Sequence, residues 1–118
     1  NSSESSLDFF VSESQDFVIE HLLNYPNPFT TNTGFYFEHN RPNQILEVQI
    51  QIFTASGKLV KTLNSLQNNN GFRIGPIYWD GKDEFNDKIG RGTYIYKLRV
   101  KDENGEYVQK LEKLVILR

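Results

Sequence analysis

Between Tyr94 and Val100 the residues alternate in kind with a period of two: Tyr94, Tyr96, Leu98 and Val100 fall on one side, Lys97 and Arg99 on the other. Of all the patterns in this chain, this one most restricts the fold. A period of two puts one face against a core and the other in water only if the backbone is a β-strand; wound as a helix, the same residues would be scattered around the axis. Before it runs Trp79-Asp80-Gly81-Lys82-Asp83-Glu84-Phe85-Asn86-Asp87-Lys88-Ile89-Gly90-Arg91-Gly92, which holds the only tryptophan and a dense run of turn formers. Asp, Asn and Gly supply side-chain-to-backbone turns and positive φ angles. The stretch reads as strand, structured loop, strand, and the rest of the chain has to pack against it.

The remaining sequence repeats the theme. Residues 17–23 are expected to be a strand with Phe17, Ile19, His21 and Leu23 on one face. Asn24-Tyr25-Pro26-Asn27-Pro28-Phe29 follows, where two prolines exclude a helix and favour extended backbone. Tyr25 and Phe29 are expected to anchor this segment to the core. Residues 33–39 alternate Phe35 and Phe37 with Tyr36 and Glu38; residues 45–53 place Val48, Ile50 and Ile52 opposite Gln49 and Gln51. Thr54-Ala55-Ser56-Gly57 closes a hairpin, with Gly57 in the left-handed region. The return strand is expected over residues 58–63, a turn at Asn68-Asn69-Asn70-Gly71, and a strand from Phe72 to Trp79 with a bulge or edge position at Gly75-Pro76. Asp102-Glu103-Asn104-Gly105 turns a last hairpin into a strand from about Glu106 onward. Seven or eight short strands and no helical periodicity predict an all-β fold, an immunoglobulin-like antiparallel β-sandwich.

Size and composition narrow the possibilities. A chain of 118 residues is one domain's worth, able to bury a core without staples. With no cysteine, disulfides, zinc-thiolate sites and cysteine nucleophiles are excluded from this stretch. A net charge of −2 gives no field that would favour nucleic acid. The longest apolar run, residues 114–117, is too short to span a bilayer. Neither an initiator methionine nor a signal peptide is present, so the chain reads as a piece of a longer protein. Residues 1–16 read as a flexible, acidic linker in which residues 7–11 (Leu-Asp-Phe-Phe-Val) offer a possible edge strand; residues 17–118 form the domain.

Few constellations could carry chemistry. Asp80, Asp83 and Asp87, with Glu84 and Asn86, offer oxygen ligands suited to calcium, but the spacing is not that of an EF-hand and turn formation is the simpler use. His21 and His39 lie on different strands and lack further zinc ligands at metal-site spacing. No nucleophile elbow occurs, so no catalytic residues and no cofactors are assigned. Lys97, Arg99 and Lys101 make a basic stripe that reads as a solvated sheet face. The terminal segment stands apart, because Leu114, Val115, Ile116 and Leu117 are apolar on both faces between Lys113 and Arg118. A sandwich strand needs one apolar face. The second is either covered, for instance by residues 7–11, or presented to a partner. A rival function, adhesion or carbohydrate binding, would use Tyr36, Tyr78 and Tyr107 as a stacking platform.

In order, the chain carries Tyr25-Pro26-Asn27-Pro28-Phe29, then Ile52-Phe53-Thr54-Ala55-Ser56-Gly57-Lys58-Leu59-Val60, then Trp79-Asp80-Gly81-Lys82-Asp83, then Gly92-Thr93-Tyr94-Ile95-Tyr96, and the terminal Lys113, Leu114, Val115, Ile116, Leu117 and Arg118. This ordered set resembles the carboxyl-terminal sorting domain of type IX secretion cargo in Bacteroidetes, itself similar to the immunoglobulin-like domain of flagellar hook-capping proteins. The segments Phe35-Tyr36-Phe37-Glu38-His39-Asn40-Arg41-Pro42 and Asp87-Lys88-Ile89-Gly90-Arg91-Gly92 look like the carboxyl end of the type IX sortase itself. Phe53 and Thr54 stand where the family hairpin has tyrosine and aspartate. The resemblance implies a non-enzymatic signal and docking domain at the outer membrane or cell surface. It would be recognised by type IX secretion components, with the outer-membrane shuttle PorV as partner. Recognition is expected at residues 113–118, with Gly90, Arg91 and Gly92 contributing. Any sortase chemistry would lie in a separate domain.

Overall fold

The computed structural model describes residues 16–118. It has seven strands: β1 (Ile19–Tyr25), β2 (Thr33–His39), β3 (Gln44–Thr54), β4 (Leu59–Asn69), β5 (Arg73–Trp79), β6 (Gly92–Lys101) and β7 (Tyr107–Ile116). They form two antiparallel sheets, β1-β2-β5 and β4-β3-β6-β7. The expected immunoglobulin-like sandwich is therefore the fold, with three strands facing four. The fourth strand pairs with the third, whereas the constant-type immunoglobulin places it beside the fifth. A three-residue turn makes the difference: β3 runs straight into β4, and their pairing continues from Phe53 opposite Leu59 to Gln44 opposite Asn69. A chain zipped over that length cannot cross to the other sheet.

The core lies between the two inner faces. Phe35 and Phe37 of β2, Ile74 and Trp79 of β5, and Leu46, Val48, Ile50 and Ile52 of β3 are buried, as are Tyr96, Leu98 and Val100 of β6 and Leu114 and Ile116 of β7. The alternation seen around Tyr94 is thus the alternation of burial. Each such side chain contributes roughly 1.5–3 kcal/mol by leaving water. Burial also pushes the Tyr96 phenol upward, helped by the nearby Glu112 carboxylate.

Three expectations need correction. In β1, Phe17 and Ile19 are buried but His21 and Leu23 are exposed. A bulge lies between Glu20 and Leu23, where His21 takes a φ of 56°. The extra residue reverses the alternation, so Leu22 and Asn24 turn inward instead. The return strand β4 continues to Asn69 rather than ending near Leu63, because pairing along β3 outweighs the weak strand preference of its asparagines. The segment 26–28 bends instead of running extended, drawn toward β7 by the hydrogen bonds described below, and Tyr25 faces solvent. The bulge expected at Gly75-Pro76 is present, opposite Tyr36 on an edge strand. Residues 7–11 lie outside the described residues.

One turn is used three times. Thr54, Asp83 and Asp102 each receive a backbone N–H bond from the residue three positions on: Gly57, Asn86 and Gly105. Those three residues all have positive φ, at 94°, 68° and 87°. Each first residue also donates its backbone N–H to the carbonyl of the residue four on, and its side-chain oxygen accepts that residue's N–H. This is a type I turn followed by a left-handed residue. The Thr54 hydroxyl, 3.0 Å from the Lys58 N–H, does the work of the aspartate found at the other two sites.

Candidate docking site

The bend after β1 places residues 26–29 along the outer edge of β7. Asn27 uses its side-chain amide as a piece of strand: Nδ2 donates to the Lys113 carbonyl at 3.3 Å and Oδ1 accepts from the Val115 N–H at 3.0 Å. Phe29 then continues with its backbone. Its N–H donates to the Val115 carbonyl at 3.0 Å and its carbonyl accepts from Leu117 N–H at 2.9 Å. The outward-facing backbone groups of residues 113–117 are in this way paired within the chain. The backbone edge of the last strand is thus covered over residues 113–117, and the cover is the Pro-Asn-Pro-Phe segment; on its second face Val115 is half-buried and Leu117 exposed.

Below the edge, Phe29 is buried with its ring 5.8 Å from that of Trp79 in an edge-on arrangement. The indole N–H of Trp79 donates to the Lys82 carbonyl at 2.9 Å, which starts the loop between β5 and β6. That loop is a narrow hairpin. Ile89 N–H bonds the Gly81 carbonyl, Lys82 bridges to Lys88, and the second copy of the turn, at Asp83, forms the tip. Arg118 closes its neck from the side: the guanidinium donates to the Ile89 carbonyl at 3.0 Å and the Gly81 carbonyl at 3.4 Å. Gly81, at φ 72°, admits it; a Cβ there would stand 2.6 Å from an Arg118 nitrogen. Glu84 braces the tip by accepting the Thr62 N–H at 2.8 Å on the edge of β4, with Lys61 at 3.6 Å.

The structure brings the two groups of expected recognition residues together. Gly92 pairs with Ile116 and Thr93 with Val115, and the Gly90 carbonyl accepts the Tyr94 hydroxyl at 2.7 Å. Within residues 113–118 the roles separate. Leu114 and Ile116 belong to the core, Val115 is half-buried, Lys113 is exposed and Leu117 is 57% exposed. Gly90, Arg91 and Gly92 are exposed beside them. Of the expected recognition residues, Lys113, Leu117, Arg91 and the neighbouring glycines are the ones that remain on the surface.

The carboxylates of the loop are occupied by turn making. Asp80 Oδ1 accepts the Lys82 N–H, and Asp83 Oδ1 accepts those of Phe85 and Asp87. Among the described residues no three His, Cys, Asp or Glu side chains are grouped as a metal site would need. The His21 Nδ1–H donates to the Glu38 carboxylate at 2.8 Å, while His39 is buried at the other end of the sandwich. The tyrosines expected to form one platform are divided. Tyr36 and Tyr78 share the outer face of the three-stranded sheet, whereas Tyr107 lies on β7 beneath the Arg99 guanidinium, 4.1 Å from its ring centre. Sequence reasoning missed Asn27 and Phe29 as the edge cover and Tyr25 as an exposed neighbour of Tyr36. The only signal for the first was the unusual Pro-Asn-Pro-Phe spacing.

No family model matches the chain and no curated protein sequence matches it. Among solved structures it is similar to dimeric latent PorU from Porphyromonas gingivalis, at 28% identity and a TM-score of 0.75. That likeness covers 87% of this chain and 10% of the PorU chain, so this chain spans a small part of PorU's length. It also shares its fold with FlgD from Xanthomonas campestris, described for hook capping in flagellar assembly, at 19% identity and a TM-score of 0.58. There it covers 85% of this chain and 67% of that one. The chain is thus a structural neighbour of a portion of PorU and of the immunoglobulin-like fold seen in FlgD.

Proposed function

We propose that this chain is a non-catalytic signal and docking domain of the type IX secretion pathway, corresponding to the retained signal domain of a PorU-like sortase. The observation that carries the reading is convergence. Four of the segments on which the family resemblance rests (residues 25–29, 79–83, 90–92 and 113–118) meet at one end of the sandwich and hold each other in place, while residues 35–42 run to the other end, where Arg41 pairs with Asp102. The similarity to PorU over most of this chain supports the same reading. The partner is a type IX component at the outer membrane, with the shuttle PorV the first candidate, and the domain acts at the cell surface after export through the periplasm. The geometry fits partner recognition better than chemistry. The exposed groups at this end are an aliphatic side chain and two cations next to a glycine-rich turn, on a rigid support.

The test leaves the core alone. Removing residues 113–118 would take Leu114 and Ile116 from the interior, so we choose Lys113→Glu, Leu117→Asp and Arg91→Glu together, all on exposed side chains. In the full-length protein this triple variant is expected to lower surface delivery by about tenfold or more, the effect of losing 1.4 kcal/mol of recognition. Thermal unfolding of the isolated chain should stay near wild type. Normal surface delivery of the triple variant overturns the proposal.

A further inference from the structure

The outer face of the three-stranded sheet carries a group of side chains that the docking end does not use. Tyr25, Gly34 and Tyr78 sit side by side across β1, β2 and β5, and Leu23 pairs with Tyr36 one step along. Tyr25 and Tyr78 are each 69% exposed. Gly34 makes room for Pro76: a Cβ at that position would stand 2.8 Å from the proline Cβ, while meeting the Tyr36 and Tyr78 rings at an ordinary contact distance of 3.5 Å. Next to this floor, a cleft of about 270 Å³ opens among Leu23, Tyr25, Tyr36, His21, Glu38 and Arg73. The β1 bulge makes its polar end by turning His21 outward onto Glu38.

From this arrangement we infer that the outer face of the three-stranded sheet is a binding site for a neutral saccharide, with one pyranose ring in the cleft. A pyranose has an apolar C–H face and a hydroxylated rim, and the site offers both counterparts. The tyrosine rings and Leu23 supply a flat apolar floor; aromatic residues give large contact area with a polar tip. The phenol hydroxyls of Tyr25, Tyr36 and Tyr78 have no hydrogen-bond partner among the described residues, so they remain available to sugar hydroxyls. At the polar end the charges compensate one another: Glu38 lies 2.8 Å from His21 and 3.6 Å from Arg73. A compensated cluster bonds hydroxyls without selecting an ion, so the ligand is uncharged. The cleft volume lies just under the range of about 300–1,000 Å³ usual for small-ligand pockets, which suits a single ring with the chain of a glycan continuing over Tyr78.

This inference does not rest on the docking reading: Tyr25 begins the 25–29 segment, but the face formed by Leu23, Tyr25, Tyr36 and Tyr78 on β1, β2 and β5 lies apart from residues 113–118. The test titrates the 118-residue chain, followed by amide chemical shifts, with maltotriose, cellotriose, mannotriose and chitotriose at millimolar concentration, and with a polyproline peptide as the competing ligand class. At least one trisaccharide is expected to shift amides near Leu23, Tyr25, Tyr36 and Glu38. Tyr25→Ala should weaken that binding by about tenfold, whereas Tyr107→Ala, on the other sheet, should leave it unchanged. Three results each overturn the inference: no shift with any trisaccharide, shifts confined to another surface, or binding only of the polyproline peptide. Because Tyr25 is exposed, its removal is not expected to disturb folding, and a matching unfolding curve for the variant checks that.

Discussion

The two ends of this sandwich are built from the same two residue types and come out differently. At one end Asn40 uses its side-chain amide to bond Asp16 and Val18, and Arg41 ion-pairs with Asp102 at 3.0 Å and with Glu106 at 3.0 Å. At the other end Asn27 does the same for Lys113 and Val115, and Arg118 holds the loop between β5 and β6. In both places asparagine imitates a strand. The arginines differ in what they face. Arg41 is mostly buried over the Phe17 ring and meets carboxylates, one of them on a side chain that is 0% exposed. Arg118 meets only the carbonyls of Gly81 and Ile89. An ion pair in a low-dielectric setting is costly to break from one side; a guanidinium on neutral carbonyls near water exchanges at little cost. One end is therefore tied by charge pairs and the other by a guanidinium on neutral carbonyls, and the latter is the one proposed for docking.

Removing each arginine in turn tests this difference, and the largest effect belongs to Arg41. Arg41→Ala leaves the Asp102 carboxylate buried without its counter-ion, so a loss of about 3–5 kcal/mol is expected, a large part of a domain's usual stability of roughly 5–15 kcal/mol. Chemical denaturation measures it, and a loss below about 1 kcal/mol would mean that the two ends do not differ in kind. Arg118→Ala is expected to cost only about 1 kcal/mol. It should raise amide hydrogen exchange at Ile89, whose N–H bonds Gly81, without altering exchange in β3 or β6. Unchanged exchange at Ile89 would show that the loop holds itself.

The smallest effect expected is a pH dependence at the charge-paired end. His39 Nδ1 accepts the Arg41 N–H at 3.0 Å, so its proton sits on Nε2, which is buried and has no partner among the described residues. Burial lowers its pKa from the ordinary 6.5. The unfolded chain then takes up the proton first, and folding stability is complete above about pH 6.5 and falls as pH drops through that value toward the lower folded one. Urea midpoints should decline as pH drops below about 6.5 and do so less in His39→Phe. Equal declines in both proteins would remove His39 from the account.

Much of this was legible in the chain. The alternations at β2, β3 and β6 determine which side chains enter the core, and Gly57 and Gly105 mark turns that only a left-handed residue can close. What failed to show was whatever depended on a distant partner. The β1 bulge follows from fitting β1 against Phe37 and Glu38, and nothing within Ile19–Tyr25 announces it. Likewise β4 extends through asparagines because β3 lies beside it. For the docking end, the order of the motifs was readable but their meeting was not, since Asn27 and Val115 are 88 residues apart. The apolar residues on both faces of the last strand suggested an open surface. The structure divides them into core, Leu114 and Ile116, and a single well-exposed side chain, Leu117.

The cover over β7 also bears on how the protein behaves in crowded solution. A final strand with free N–H and C=O groups would be a template on which copies of the chain could stack without limit. Asn27 and Phe29 fill those positions from within, and asparagine suits the purpose because its amide carries one donor and one acceptor at the spacing of a peptide unit. It pairs the edge at Lys113 and Val115 and, being a side chain, offers no further edge beyond itself there. The Pro-Asn-Pro-Phe motif therefore also acts as a local stop to strand stacking at residues 113–117, while Lys113 and Leu117 keep their side chains exposed.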